Sequence, residues 1–96
     1  MLSPETTLIA KEHIPSLRFP RQPVSITDEQ RHELQDRMLR ATRLGNGEHG
    51  KCRIIFADAE GIKAVETTIW TFDQDNIVLK YGMTIPVFRV LRIEFP

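Results

Sequence analysis

A single cysteine, Cys52, rules out an intrachain disulfide, so nothing in the chain requires an oxidising compartment. No apolar run approaches the roughly 20 residues of a membrane helix. The opening Met1-Leu2-Ser3-Pro4-Glu5 lacks the basic start and apolar stretch of a secretory signal. Neither charge is in excess, since 13 basic residues balance 13 acidic ones, which argues against strong electrostatic binding to DNA or anionic membrane. The expected location is the cytoplasm, without membrane association.

Catalytic residue types are scarce where the core must form. Residues 50–96 contain no serine and no histidine, so a Ser–His or Cys–His dyad would have to be assembled across distant parts of the chain. His49 and Cys52 are the only such pair close in sequence, and they lack the second ligand pair that a zinc site needs; Cys52 is expected to be a small buried hydrophobe. Gly45-Asn46-Gly47 has no following lysine to make it a phosphate loop. Asp58 with Glu60, and Asp73 with Asp75, fall in turn-like stretches, where carboxylates accept local backbone hydrogen bonds. The expectation is a chain that is not an enzyme and uses no cofactor or metal.

What is present is ordinary globular material: 96 residues, 41% apolar and 27% charged, enough for one domain. Residues 1–26 hold four of the six prolines (Pro4, Pro15, Pro20, Pro23), which favour extended backbone, so this stretch reads as an extended arm. Its apolar side chains, including Ile14, Leu17 and Phe19, suit an arm lying on its own domain or reaching a partner. Residues 27–96 form the domain proper. A helix is predicted over 27–43, with Thr27 and Gln30 as a capping box and Leu34, Met38 and Ala41 on one face. Gly45 and Gly47 are expected to stop it.

From residue 50 onward the pattern is β. Residues 51–56 alternate, and Gly61 marks a turn. In the β-rich run 62–72 the apolar residues change parity, from Val65 and Ile69 to Trp70 and Phe72, which reads as a strand bent or bulged, as at a barrel corner. Six aromatics (Phe56, Trp70, Phe72, Tyr81, Phe88, Phe95) lie in this half, and Trp70 is expected in its core. Two further strands, around 77–81 and 87–95, close the sheet, interrupted at Pro86.

A helix, a glycine-rich turn and then four to five short strands resemble the small antiparallel β-barrels called SH3-like and Sm-like. The closing stretch 77–95, with Ile85-Pro86 and Arg89-Val90, is similar to the ending of such domains. Residues 40–46, 65–70 and Ile85-Pro86 also resemble a small bacterial family of uncharacterised proteins, over about residues 38–96. The resemblance implies a mainly β fold with one N-terminal helix, closed into a small barrel, and brings no catalytic signature.

Charge placement is the remaining signal. Arg37, Arg40, Arg43, Lys51 and Arg53 cluster between helix end and first strand, with only Glu48 plainly acidic among them. They could form a face for phosphates or a solvated surface balanced by Glu33 and Asp36. Two functions stay open. One is a non-catalytic interaction module for protein–protein association, including self-association with a homo-oligomer as one outcome. The other is weak binding of RNA or single-stranded nucleic acid through that cluster and exposed aromatics.

Overall fold

The helix begins as its first residues dictate. The Thr27 hydroxyl accepts the Gln30 N–H at 3.0 Å, and Gln30 Oε1 accepts the Thr27 N–H at 2.9 Å, the reciprocal bonds of a capping box. In the computed structural model, which describes residues 5–48 and 50–95, helix α1 then spans Asp28–Glu48. Leu34, Met38, Ala41 and Gly45 recur every three or four residues and are its buried positions, so the helix rests on one narrow stripe.

The expected stop at Gly45 and Gly47 does not occur, because neither takes a left-handed conformation. Gly45 has a different purpose. A Cβ there would lie 2.6 Å from the carbonyl oxygen of Ile69 and 2.7 Å from Thr68 Cγ2, so only glycine lets helix and strand approach so closely. The helix finally ends where the Gly50 N–H donates to the Leu44 carbonyl at 3.2 Å.

Seven strands accompany the helix among the described residues: β1 Thr7–Ile9, β2 Cys52–Ala57, β3 Ile62–Thr67, β4 Ile69–Phe72, β5 Asn76–Leu79, β6 Thr84–Pro86 and β7 Val90–Glu94. They make two sheets, ordered β1-β3-β2-β7 and β4-β5-β6. The expected SH3-like or Sm-like barrel is therefore corrected: neither sheet closes, and the domain is a compact mixed α/β fold. Run 62–72 is two strands, not one, and its parity change falls after Ile69, at a register irregularity between Ile69 and Thr71 of the kind a bulge makes. The chain leaves the first sheet at Thr68 and enters the second at Ile69. β1 adds a parallel strand to β3, pairing Leu8 with Ala64, which an antiparallel meander would not contain.

Both gaps between the sheets are filled by packing. α1 lies against β4 and β7, one edge strand from each sheet. From it the Arg37 guanidinium donates to the Ile93 carbonyl on β7 at 2.6 Å, and Asn46 Nδ2 donates to the Trp70 carbonyl on β4 at 3.4 Å. On the far side, the 3-10 turn Lys11–Ser16 that follows β1 touches β3 and β6 and buries Ile14. Residues 1–26, read as an extended arm, thus contain a strand and a turn in their described part. The segment is fastened further along: Arg18 O accepts the Ala59 N–H at 2.8 Å, the Val24 N–H donates to Phe88 O at 2.8 Å, and the Phe19 and Phe56 rings lie 5.8 Å apart.

One core results. Ile54, Phe56, Val65, Val90 and Ile93 from the first sheet meet Ile69, Ile77, Leu79 and Ile85 from the second, with Leu34, Met38 and Ala41 from α1 and Ile14 from the turn. Trp70, expected in this core, is 45% exposed instead.

The two neighbouring glycines of α1 should answer substitution in opposite directions. Gly45→Ala meets backbone and should destabilise the fold by about 1–3 kcal/mol as an overpacked site. Gly47→Ala finds no atom within 4 Å and should stabilise by up to ~1 kcal/mol through helix propensity. Urea denaturation of both variants checks this, and equal effects would contradict it. In the same assay, Ile14→Ala should cost about 2–5 kcal/mol; a loss near zero would show that the turn does not seal the core.

Candidate functional site

The five basic residues singled out in the sequence do not form one open cationic face. Arg37, Lys51 and Arg53 line a groove of about 630 Å³, together with Cys52, Glu66, Glu94 and Phe95. Arg40 reaches its rim by stacking on Phe95, 4.7 Å from the ring centre. Arg43 is exposed and does not line the groove.

Carboxylates answer two of the three cations that line the groove. Arg37 pairs with Glu33 at 2.8 Å, one helical turn back. Arg53 stands between cross-strand partners Glu66 at 2.6 Å and Glu94 at 3.9 Å, as their registers dictate. Arg92 completes the row, donating to Glu94 at 2.9 Å. That hydrogen bond, more than any other influence and against partial burial, holds the Glu94 carboxyl below the usual carboxylate range. On the same face of the sheet Ile55 and Ala64 are paired and fully buried, outside the main core, so the row of long side chains over them serves as cover. Arg40, Arg43 and Lys51 of the five have no ion pair among the described residues.

Cys52 also lines the groove, but burial pushes its thiol up to about 11, which leaves it a neutral, poor nucleophile. His49 lies outside the described residues. Among the described residues no group of three or more His, Cys, Asp or Glu side chains is placed to hold a metal ion.

Of the four acidic turn residues, Asp58 and Asp73 act on the backbone as expected, while the Glu60 carboxylate meets Lys63 instead. Asp58 Oδ1 accepts the N–H groups of Glu60 at 2.8 Å and Gly61 at 3.0 Å, shaping the β2–β3 turn. Asp73 Oδ1 likewise accepts those of Asp75 and Asn76, both at 2.8 Å. Asp58 is itself buried and forms an ion pair with Lys63. Desolvation pushes its pKa upward, yet the Lys63 ammonium and the two N–H donors outweigh that and hold the carboxyl below its ordinary value.

A second surface went unread in the sequence. Trp70 on β4 and Tyr81, in the loop joining β5 to β6, are both exposed, at 45% and 70%, with ring centres 6.5 Å apart and planes inclined at 57°. Two ammonium groups lie over the Tyr81 ring: Lys11 Nζ at 5.1 Å and Lys80 Nζ at 5.4 Å from its centre. Neither lysine has a carboxylate partner among the described residues.

The Tyr81 backbone is left-handed, at φ 70° and ψ 14°, and Gly82 follows at φ 82°. Two positive-φ residues in a hairpin loop normally select Asn-Gly, and a bulky aromatic in that region costs about 1–3 kcal/mol. Surrounding bonds hold it there: the Leu79 N–H donates to Met83 O at 2.7 Å and the Lys80 N–H to Thr68 O at 3.1 Å. The available signal was Tyr81-Gly82 between two apolar strands. Trp70 was hidden because β-forming neighbours suggest a core strand whichever face the indole occupies.

With the geometry described, comparison of the chain with protein-family models, curated proteins and solved structures finds no match. No helix among the described residues is long and apolar enough to cross a membrane.

Asp58 makes stability depend on pH with a definite sign. Its folded pKa is depressed, so its contribution is present above the ordinary carboxylate value near ~4 and is lost as pH falls through the lower folded value. Asp58→Asn keeps the acceptor oxygen and removes the charge. The variant should be less stable than the parent at neutral pH, with the gap closing in acid. Urea midpoints across that range test it; a constant gap would contradict it.

Proposed function

We propose that this chain is a non-catalytic interaction module that works by protein–protein association, including association with a second copy of itself. The observation that carries the reading is the exposed Trp70–Tyr81 pair, held rigid beside the core by the β5–β6 loop. Tryptophan and tyrosine are the side chains most often dominant in protein interfaces, because they bury large rigid area on binding. A cytoplasmic setting accords with the single buried thiol.

The alternative, weak RNA binding through Arg37, Arg40, Arg43, Lys51 and Arg53, has less support. Arg37 and Arg53 are occupied by carboxylates, Arg40 by an aromatic ring, and Arg43 stands outside the groove. A phosphate chain would find few unclaimed cations along its path.

Trp70→Ala separates a surface role from a core role. The variant should keep its β-sheet circular dichroism and lose less than the roughly 3–5 kcal/mol of a core tryptophan. Its mass in solution at high concentration should fall to that of the 11.1 kDa protomer, whereas the parent exceeds it. An unfolded variant, or a mass unaffected by the substitution, would sink the reading.

A further inference from the structure

We propose that the Trp70–Tyr81 face recognises an acidic polypeptide segment bearing an apolar side chain. This rests on the reading of that face as the interaction surface and adds the chemistry of its partner.

The first support is the strain at Tyr81. Its left-handed backbone would suit glycine or asparagine better, and the ring is too exposed to repay the fold by burial. A side chain kept where the fold would prefer another has its use outside the fold. The second support is charge. Lys11 and Lys80 come from distant parts of the chain, yet both place an ammonium over the same ring with no carboxylate to answer it among the described residues. Carboxylates of a partner can meet these ammonium groups from the solvent side, while an apolar side chain settles on Trp70.

A single-stranded nucleic acid fits less well. Bases bind such platforms by stacking on clear aromatic faces along a line of cations. Here ammonium groups already occupy the Tyr81 ring, and in the groove Arg37, Arg53 and the rim residue Arg40 are claimed by Glu33, Glu66, Glu94 and Phe95.

Trp70 is the only tryptophan, so its fluorescence reports on this face alone. The full chain is titrated at low salt with a synthetic peptide alternating Glu and Leu, with one alternating Lys and Leu, and with oligothymidylate. The Glu–Leu peptide should shift the emission, more weakly as salt rises, and the other two should not. A Lys11→Glu/Lys80→Glu double variant should bind that peptide roughly tenfold more weakly. Tyr81→Asn should melt several degrees higher than the parent and yet bind less well. No response to the Glu–Leu peptide overturns the inference. A response to oligothymidylate instead overturns the acidic partner but leaves the face as an interaction surface, and silence toward all three removes both. Lower melting of Tyr81→Asn would refute the argument from strain.

Discussion

The close contact between Gly45 and the Ile69 carbonyl decides how the rest of the domain is arranged. It seats α1 beside β4, and the same helix reaches β7 through Arg37. A helix in that position takes the place of the hydrogen bonds that would close a barrel. It also covers one exposed edge of each sheet, a common means of protecting unpaired strand edges. The second gap is filled by the turn carrying Ile14, so the proline-containing segment contributes to the single core on which a domain of this size depends.

What could be read from sequence was local. The Thr27–Gln30 capping box, the Leu34–Met38–Ala41 stripe and the turn carboxylates Asp58 and Asp73 each involve neighbours a few residues apart, and each is found as read. What escaped depends on distant partners. Gly45 resembles a helix stop until the strand it admits is known. The break at Thr68 follows from the separation of two sheets, and it leaves no mark in parity, since Val65, Thr67 and Ile69 on either side of it are all buried. The parallel pairing of β1 with β3 joins residues more than fifty positions apart, such as Leu8 and Ala64, and leaves no periodic trace.

The two candidate sites divide in a similar way. A basic cluster is easily seen in sequence because charge can be counted, but its carboxylate partners come from other strands and reduce its significance. The aromatic face is harder to see, since Trp70 and Tyr81 belong to different strands and loops. Their proximity follows from β4 and β5 being neighbours in the second sheet, with Ile69 opposite Leu79. The loop after Leu79 then carries Tyr81 toward the indole, and the turn after β1 brings Lys11 over it. The fold that excludes a barrel thus also creates the surface to which we assign the function.

Quenching of Trp70 fluorescence in the native protein tests this account most directly. A half-exposed indole next to a tyrosine ring that carries two ammonium groups should emit at long wavelength and be quenched by iodide more efficiently than by caesium, with the difference shrinking as salt rises. Short-wavelength emission insensitive to both ions would place Trp70 in the core and contradict the account.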